Sequence, residues 1–425
     1  MLTANIEGGQ IPEGNVVVSG AKNAATRLLA AALISDETVN LTNFPTELVD
    51  ARHKIKFIEN CGGEVRIDKT LETLEVDPSN YLNSDIDNYD CPIRTTYLLA
   101  AGLIKRSNIA KVPYPGGCKI GSRGYDLHIM VWEKLGAKVI QRNEYLEIKT
   151  EGGFKAGEIN FPISTIGGTE NALICAATVP EETIIRNAYI SPEVECLIEF
   201  LKSQGVRIKV VGNSFISIIG SKYLRGGVFR VMPDRIEAIT WIIYGILSKG
   251  KITVVDVPFD AMKIPLIHIE EAGIDYYNNR KRVIVSQECL TNEEIQPFEL
   301  SCGTHPGIIS DMQPFYVLLG LYADGISRVF DYRYPERLSY LEELSKFYPG
   351  ALSWKSGAIK IIGKRKGVTA DTRSTDLRGS MALLIAALLN EGNSKVTEVE
   401  MALRGYNKLQ EKLSNLGVEI DLKKE

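Results

Sequence analysis

The stretch Phe200–Ile208 (FLKSQGVRI) decides the fold, because it predicts a helix that ends at a glycine and continues into a strand. Glycine readily adopts the left-handed conformation that often ends a helix. The same helix–glycine–strand ending occurs six times, with glycines 67 to 77 residues apart. The copies are Phe57–Val65 (Gly62), Trp132–Val139 (Gly136), Phe200–Ile208 (Gly205), Ile269–Tyr277 (Gly273), Leu344–Trp354 (Gly350) and Leu413–Ile420 (Gly417). The chain is therefore predicted to contain six copies of one unit.

Each copy also contains a second helix, which is apolar on nearly all sides and is followed by a strand. A helix of this kind is buried. The predicted helices are Ala24–Ile34, Thr95–Ile104, Thr169–Thr178, Ile236–Leu247, Asp311–Ala323 and Gly379–Leu389. The strands after them are Val39–Phe44, Ile109–Tyr114, Thr183–Ala188, Lys251–Val257, Ser327–Tyr332 and Lys395–Val399. Units in a βαβαββ-like order predict an α/β fold in which helices pack on sheets.

The length of the repeat indicates how the units assemble. Solenoid repeats run about 20–50 residues, and these units are longer. We therefore expect the six units to form globular domains, most simply two domains of three units each. The segment Val231–Asp234 is the predicted point at which the chain passes from one domain to the other.

The composition is that of an ordinary cytoplasmic protein. Apolar residues make up 44% of the chain and the net charge is −4, so no overall basic field attracts nucleic acid or membranes. The seven scattered cysteines predict free thiols in a reducing compartment.

We expect no signal peptide, because the first residues lack a basic and an apolar region. The apolar run Met381–Leu389 is too short to span a bilayer. The histidine and cysteine spacings predict neither a metal nor a redox cofactor.

Polar residues with a shared character precede the six apolar helices. The starts are Ser19–Asn23, Cys91–Arg94, Thr165–Gly168, Met232–Arg235, Ile308–Asp311 and Thr375–Arg378. Four of them contain a lysine or arginine, although a cation there opposes the helix dipole by roughly 0.3–1 kcal/mol. Solvated surface cations are one interpretation. An anion-binding cleft between two domains is the second interpretation. It is favoured because the cations recur at four equivalent positions in both halves of the chain.

The segment Pro115–Arg123 (PGGCKIGSR) combines three glycines with one thiol and two cations. Glycines let backbone amides approach a ligand closely. Lys119 and Arg123 favour a thiolate or a bound anion. The segment therefore predicts a mobile, anion-binding loop with a reactive Cys118, and a plain surface thiol is the alternative.

Several of these motifs occur together along the whole chain: Ser19–Ala25, Pro115–Arg123, Asp126–His128, Pro233–Glu237, Ser310–Gln313, Asp376–Arg378 and Arg404–Tyr406. In this combination the chain resembles the enolpyruvyl transferases, most closely the UDP-N-acetylglucosamine 1-carboxyvinyltransferases. The resemblance implies two inside-out α/β domains of three repeats each, with a cleft between them. It places the first domain at residues 22–232 and the second at 1–21 and 233–425.

The resemblance also implies a reaction. The enolpyruvyl group of phosphoenolpyruvate moves to the 3-hydroxyl of UDP-N-acetylglucosamine and phosphate leaves, an early step of peptidoglycan synthesis in the cytoplasm. Cys118 matches the family's proton donor, which is also the thiol that fosfomycin alkylates. Asp311 matches the base toward the sugar hydroxyl, and Lys22 and Arg404 complete the implied catalytic set. No cofactor or metal is implied, and we expect a monomer or a weak homo-oligomer.

Two groups of binding residues follow from the same resemblance. Those implied to hold phosphoenolpyruvate are Lys22, Asn23, Arg123, Arg333, Arg378 and Arg404. Those implied to hold the UDP-sugar are Arg94, Arg123, Gly124, Tyr125, Asp126, Leu127, Ile163, Ser164, Thr165, Ile166, Asp311 and Val329.

Some positions depart from the family's pattern and leave alternatives open. They are Val49, Leu98, Gly124, Tyr125 and Tyr332, and the segment Tyr334–Arg337 differs as well. A lysine usually stands near Val49, and an aromatic residue is usual at Leu98. A paralogue that uses another nucleotide or nucleotide sugar is therefore one alternative, and a non-catalytic UDP-sugar sensor is a second. The retained Cys118 and Asp311 argue against the sensor, although Asp311 also suits a helix N-cap.

Overall fold

The computed structural model of the chain describes residues 1–78, 82–114 and 124–424. The strands of this part are β1 (Leu2–Gly8), β2 (Glu13–Val17), β3 (Val39–Thr42), β4 (Glu64–Asp68), β5 (Thr73–Asp77), β6 (Ile109–Pro113), β7 (Lys138–Gln141), β8 (Tyr145–Lys149), β9 (Glu158–Thr165), β10 (Glu182–Ala188), β11 (Arg207–Val211), β12 (Phe215–Ile219), β13 (Gly227–Arg230), β14 (Lys251–Val255), β15 (Tyr277–Asn279), β16 (Arg282–Ser286), β17 (Glu299–Gly303), β18 (Ile308–Ile309), β19 (Ile326–Asp331), β20 (Leu352–Lys355), β21 (Ala358–Ile362), β22 (Asp371–Arg373), β23 (Gly392–Thr397) and β24 (Asp421–Lys424).

The α-helices of the same residues are α1 (Lys22–Ala32), α2 (Val49–Asn60), α3 (Ala100–Ser107), α4 (Asp126–Lys134), α5 (Ile166–Ala176), α6 (Pro192–Ser203), α7 (Arg235–Leu247), α8 (Lys263–Glu271), α9 (Gln313–Tyr322), α10 (Ser339–Phe347), α11 (Leu377–Leu389), α12 (Glu400–Leu403) and α13 (Leu409–Asn415). Short 3₁₀ helices lie at Arg94–Leu99, Phe259–Ala261, Gln287–Cys289 and Thr291–Glu293.

The strands of the described residues form six sheets, one for each predicted repeat. The strand orders are β13-β3-β5-β4, β6-β8-β7, β11-β12-β10-β9, β15-β16-β14-β2, β18-β17-β19-β21-β20 and β22-β23-β1-β24. Each sheet contains one of the strands predicted to follow an apolar helix. The sixfold repeat is therefore visible in the backbone itself.

The chain divides into two compact units. Among the described residues, unit A comprises 20–114 and 124–232, and unit B comprises 1–19 and 233–424. Unit A holds the sheets that contain β3, β6 and β10. Unit B holds those that contain β14, β19 and β23. The N-terminal strands belong to two of these sheets, because β1 pairs with β23 and β2 pairs with β14. The predicted domain boundaries, 22–232 and 1–21 with 233–425, stay a prediction.

The six glycines predicted to end helices adopt the predicted conformation. Their φ angles are all positive: +90° at Gly62, +84° at Gly136, +101° at Gly205, +82° at Gly273, +73° at Gly350 and +69° at Gly417. A side chain with a Cβ is strained in this region, so glycine is the residue that turns each helix into its strand without that cost. The predicted glycine conformation is confirmed in all six copies, although the strand after Gly417 begins only at Asp421, just beyond the predicted segment.

Helices form the interior of each unit and sheets cover them. All thirteen residues of α7 are buried, whereas strands such as β12 bury only alternate residues, Ile216 and Ile218. The apolar all-round helices therefore have core on every side, while each sheet keeps one face toward water. This is the inside-out α/β arrangement that the resemblance implies. Across the described ranges, none of the helices combines the length and apolarity that crossing a bilayer requires.

Two of the predicted helices begin later than the sequence pattern indicates. The second copy starts as the 3₁₀ segment Arg94–Leu99 and becomes α-helical only at Ala100. The fifth, expected from Asp311, begins at Gln313, where Pro314 occupies the first turn. Proline is suited to the first turn because it needs no intrahelical partner there. Asp311 therefore lies just before α9 and is not its N-cap, a position that Met312 takes.

Candidate active site

Lys22 lies at the start of α1 in unit A and pairs with Asp50. Lys22 Nζ is 2.9 Å from Asp50 Oδ2, and both side chains are largely buried, at 15% and 12% exposure. The N-cap residue is Ala21, whose side chain offers no acceptor to the first amides of the helix. A cation, its carboxylate partner and the positive end of α1 therefore meet at one place.

A buried charge cluster lies one turn further along α1. Arg27 Nε donates to both carboxylate oxygens of Glu170 at 3.0 Å. Burial opposes the charge on Arg27, but the attraction of Glu170 outweighs it and raises the pKa of the guanidinium. Lys54 is fully buried, and its Nζ donates to the carbonyl of Thr26 at 2.6 Å. Burial, followed by repulsion from Arg27, lowers the pKa of Lys54 well below its usual range. This cluster fixes the helix that carries Lys22.

Arg94 connects the 3₁₀ segment of unit A to the start of α4. Its Nη2 donates to the carbonyl of Gly124 at 3.0 Å. Gly124 and Asp126 are exposed, and Tyr125 between them lies with its ring centroid 5.3 Å from that of Tyr114. The guanidinium of Arg94 therefore orders one end of the segment that the resemblance assigns to the UDP-sugar.

The end of β9 and the start of α5 present a mixed polar and apolar edge. Ile163 is 58% exposed and Ile166 is 37% exposed, so two large apolar side chains face solvent at this edge. Thr165 caps α5 by accepting from the amide of Gly168 at 3.3 Å. Exposed isoleucines beside a helix N-terminus suit a ligand with both an apolar surface and a negative charge.

His128 is buried directly behind this part of unit A. It is 4% exposed, and its ring centroid lies 3.6 Å from that of Tyr97. Among the described residues, its Nδ1 has no hydrogen-bond partner. Burial, and then the charge of Arg94, lower the pKa of His128 to about 3. The imidazole is therefore neutral across the physiological range.

The low pKa of His128 predicts a specific pH dependence of stability. An unfolded histidine titrates near pH 6.5. Above that pH the imidazole is neutral in both the folded and the unfolded chain, and its contribution to the free energy of unfolding is fully present. The contribution is lost as the pH falls from about 6.5 toward 3, at up to about 1.4 kcal/mol for each pH unit. We expect urea unfolding at pH 7 and pH 5 to show a smaller difference in His128→Phe than in the wild type. Equal pH dependence in the two proteins would contradict this assignment.

Asp311 in unit B lies between two buried arginines. Its Oδ1 is 2.6 Å from Arg337 Nη1, and its Oδ2 is 3.6 Å from Arg378 Nε. Arg337 Nη2 also lies 2.8 Å from Asp376 Oδ1. The arginines are 3% and 1% exposed at their side chains, whereas Asp311 is 29% exposed. Asp311 is therefore the member of this cluster that faces solvent.

A second carboxylate in unit B organises the neighbouring backbone. Asp331 Oδ1 accepts from Ser310 Oγ at 2.9 Å and from the amides of Arg333 and Tyr334 at 3.0 and 2.7 Å. Its Oδ2 accepts from Gln313 Nε2 at 3.0 Å. Asp331 therefore joins the end of β19 to the residues on either side of Asp311.

Two further cations of unit B lie near Tyr406: Arg378 contacts its ring, and Arg404 is two residues before it in the chain. The guanidinium carbon of Arg378 is 5.2 Å from the ring centroid of Tyr406. The Tyr406 hydroxyl lies 2.9 Å from Thr240 Oγ1 on α7. Arg404 is partly buried at the C-terminal end of α12. Two buried arginines of unit B, Arg337 and Arg378, therefore lie beside the partly exposed carboxylate of Asp311, an arrangement suited to an anionic substrate that also loses a proton.

Comparison with known proteins identifies the family. The family model described as EPSP synthase (3-phosphoshikimate 1-carboxyvinyltransferase) matches residues 6–413, nearly the whole chain. The chain belongs to the EPSP synthase family of enolpyruvyl transferases. The resemblance predicted from the sequence motifs is thereby confirmed.

Relatives of this enolpyruvyl transferase match it from end to end. UDP-N-acetylglucosamine 1-carboxyvinyltransferase of Campylobacter jejuni (strain RM1221) is 34% identical over 428 residues, which covers 99% of each chain. UDP-N-acetylglucosamine 1-carboxyvinyltransferase 2 of Streptococcus thermophilus is 32% identical over 424 residues and covers 98% of each. Each match therefore extends over nearly the whole length of the relative.

Solved structures confirm the fold class. The crystal structure of the enolpyruvyl transferase NikO from Streptomyces tendae has a TM-score of 0.88 at 22% identity, and it covers 99% of both chains. EPSP synthase from Acinetobacter baumannii has a TM-score of 0.74 at 14% identity and covers both chains completely. At these identities the likeness concerns the fold alone.

The predicted site residues of the enolpyruvyl transferase fall into two sets. Lys22, Asn23, Arg94 and the segments 124–127 and 163–166 lie in unit A, and Asp311, Val329, Arg333, Arg378 and Arg404 lie in unit B. Val329 is fully buried in β19, where it pairs with Leu300 of β17 and Ile359 of β21, and its predicted role stays a prediction. Cys118 and Arg123 lie outside the described residues, and their roles stay predictions.

Several residues of these clusters were missed by the sequence reasoning. Arg337 contacts both Asp311 and Asp376, and Asp50 pairs with Lys22. Asp376 carried a usable signal, because an aspartate just before an apolar helix is a favoured N-cap. It accepts from the amides of Arg378 and Gly379 at 3.1 and 3.2 Å. Across residues 1–78, 82–114 and 124–424, no group of three or more His, Cys, Asp or Glu could hold a metal ion.

Proposed function

We propose that this enolpyruvyl transferase moves the enolpyruvyl group of phosphoenolpyruvate to the 3-hydroxyl of UDP-N-acetylglucosamine and releases phosphate. The observation that carries the proposal is the end-to-end similarity, at 34% identity, to a relative with that activity in its name. The clusters around Lys22 and Asp311 support it, because they provide cations for a substrate with two anionic groups and a carboxylate that can accept a proton.

The proposed chemistry has definite requirements. The acceptor hydroxyl loses a proton as its oxygen bonds to C2 of phosphoenolpyruvate, while C3 gains a proton. Loss of phosphate from C2 and of a proton from C3 then restores the double bond. We assign the proton at the hydroxyl to Asp311 and the proton at C3 to Cys118. Lys22, Arg123, Arg333, Arg378 and Arg404 hold the phosphate and carboxylate, with Asn23 beside them.

The acceptor side takes the remaining predicted residues. We propose that Arg94, Arg123 and the segments 124–127 and 163–166 bind the UDP-sugar, with Asp311 beside the reacting hydroxyl and Val329 as a further member of the set. The exposure of Ile163 and Ile166 supports a ligand at that edge of unit A. On this proposal the enzyme acts in the cytoplasm at an early step of peptidoglycan synthesis, as a monomer or weak homo-oligomer, and is a target of fosfomycin.

An alternative acceptor, namely another nucleotide or nucleotide sugar, is supported by positions near the predicted UDP-sugar site that depart from the family's pattern. Leu98 stands where the family usually has an aromatic residue, and its side chain is fully buried. The lysine that the family usually has near Val49 is missing, since residues 47–50 contain none. The charged residue in this stretch that pairs with Lys22 is Asp50. A charged hydrogen-bonded contact contributes about 1.5–3 kcal/mol, so its loss weakens the use of an acceptor without abolishing it.

Steady-state kinetics with a panel of acceptors tests the proposal. With phosphoenolpyruvate saturating, we expect kcat/KM for UDP-N-acetylglucosamine to reach about 10⁴ M⁻¹s⁻¹ or more. Phosphate release without an acceptor is the control and should be negligible. A value far below this range, together with a faster rate on another nucleotide or sugar, would overturn the proposed acceptor and support the second candidate.

A further inference from the structure

A groove of about 850 Å³ lies in unit B, on the outer face of the sheet β22-β23-β1-β24. The inner face of this sheet packs on α11, where Ala4 and Ile6 of β1 are buried in the core. Because side chains alternate along a strand, Asn5 and Glu7 point to the outer face and line the groove. The described residues that line it include none of the predicted site residues, so the groove is separate from the candidate active site.

One end of the groove is held in a fixed shape by Gln10. Its Nε2 donates to the carbonyls of Glu7 and Glu419 at 2.7 and 2.9 Å, and its Oε1 accepts from the amide of Glu419 at 2.8 Å. This side chain thereby joins the end of β1 to the residues that precede β24. The carboxylates of Glu7 and Glu419 are therefore carried on ordered backbone, which lowers the entropy that a bound partner must remove.

The groove carries more carboxylates than cations, and we call it the acidic groove. Glu7, Glu419 and Asp421 line it, and Lys395 is the one cation among its described lining residues. Asp421 is neutralised by Lys423, whose Nζ lies 2.6 Å from Asp421 Oδ2. Within residues 1–78, 82–114 and 124–424, no hydrogen bond or ion pair engages the carboxylates of Glu7 and Glu419. Two carboxylates of the acidic groove are therefore available to a partner.

An exposed run of cations precedes β22, which is an edge strand of the same sheet. Lys364, Arg365 and Lys366 lie in the connection between β21 and β22, all three are exposed, and we call them the basic segment. Lys364 Nζ lies 3.1 Å from Asp324 Oδ1. Arg365 and Lys366 form no ion pair with any other residue that the structure describes. Two cations of the basic segment are therefore available as well.

Charge complementarity favours a second copy of the chain as the occupant of the acidic groove. The carboxylates of the groove and the cations of the basic segment lie on one unit, yet they do not pair with each other within the described chain. Two copies that face each other across a twofold axis can pair them, and every contact is then made twice. The described carboxylates form no group that could hold a metal ion, so separate cations on one polypeptide suit them better.

We propose that two copies of this chain form a weak twofold dimer in which the basic segment of each copy lies in the acidic groove of the other. This inference goes beyond the proposed function and does not depend on it. An exposed ion pair changes a dissociation constant by only about 1.5- to 5-fold. We therefore expect a weak association at low salt, with a dissociation constant of about 10⁻⁴–10⁻³ M.

Sedimentation equilibrium of the full chain, at concentrations around that dissociation constant, tests the dimer. Raising the salt from about 20 mM to about 300 mM should weaken it about tenfold, because exposed charges are then screened. Two charge reversals, Arg365→Glu with Lys366→Glu and Glu7→Lys with Glu419→Lys, should each abolish the dimer, since like charges then meet. An equimolar mixture of the two variants should restore it, because the reversed segment meets the reversed groove and the other two surfaces are unchanged.

The control is Arg207→Glu with Lys209→Glu, which reverses two exposed cations on β11 of unit A and changes the net charge as the segment variant does. It should still dimerise. If either reversal does not fold, the neutral variants Lys366→Gln and Glu7→Gln decide: a dissociation constant raised about 1.5- to 5-fold supports the dimer, and an unchanged one overturns it.

The other outcomes are equally definite. A wild type that stays monomeric at every concentration in low salt overturns the proposal. Dimers that persist in both charge-reversal variants overturn it by placing the interface elsewhere, and species larger than dimers overturn it by showing a head-to-tail contact. Phosphate release by the dilute variants should equal that of the wild type, so the oligomeric state and the proposed function are tested separately.

Discussion

Replacing Asp311 with asparagine should lower kcat by about 10²–10⁴-fold, the usual contribution of a well-placed acid or base. Asparagine has the same shape but cannot accept a proton, so binding of phosphoenolpyruvate should change far less than turnover. The loss should appear in single-turnover measurements at saturating substrate. Asp371→Asn, at an exposed position on β22 of the same unit, is the control and should retain wild-type turnover.

Full activity of Asp311→Asn would remove Asp311 from the mechanism. Because Asp311 contacts two buried arginines, the variant should also be compared with the wild type by thermal unfolding. A folded variant with low kcat supports the role as base. An unfolded variant would be replaced by Asp311→Glu, which keeps the charge but displaces it and should lower kcat as well.

Replacing Cys118 with alanine should also abolish most turnover, by about 10²–10⁴-fold, if this thiol protonates C3 of phosphoenolpyruvate. Cys118→Ser should fold, lose turnover and resist fosfomycin, since a hydroxyl is a far weaker nucleophile than a thiolate. Cys118→Asp should retain part of the activity, because a carboxyl group can also donate a proton.

The other cysteines provide the contrast for that experiment. Burial raises the pKa of Cys61 to about 12 and that of Cys196 to about 11, so neither forms a thiolate readily. Cys289, which is partly exposed, is the matched control, and Cys289→Ser should remain active and sensitive to fosfomycin. Full activity in Cys118→Ala would exclude the thiol as the proton donor.

Much of the fold could be predicted from the sequence because its signals are local. A glycine that ends a helix needs no distant partner to be recognised, and Gly62 and Gly417 take the same conformation in the first and last repeats. The apolar helices were equally clear, since α7 and α11 have no polar face to expose. The late start of α9 was missed because only Pro314, inside the apolar run, marks it.

The site was less predictable because it depends on contacts between distant residues. Asp311 and Arg378 were found through family motifs. Arg337 was missed, because a single arginine before an amphipathic helix has the same pattern as a solvated cation. Arg337 is buried with its charge paired to Asp376, which lies 39 positions further along the chain. No periodicity in the sequence predicts an ion pair between residues so far apart. Asp50 was missed for the same reason, since its partner Lys22 lies in another helix.

The measurement that tests the account most directly is product analysis of a reaction containing wild-type protein, phosphoenolpyruvate and UDP-N-acetylglucosamine. Phosphorus NMR follows phosphoenolpyruvate and free phosphate, and mass spectrometry follows the sugar nucleotide. The account predicts that each phosphate released is matched by one UDP-sugar that has gained an enolpyruvyl ether. Phosphoenolpyruvate that stays intact with this and every other nucleotide sugar, in the presence of folded protein, would contradict it.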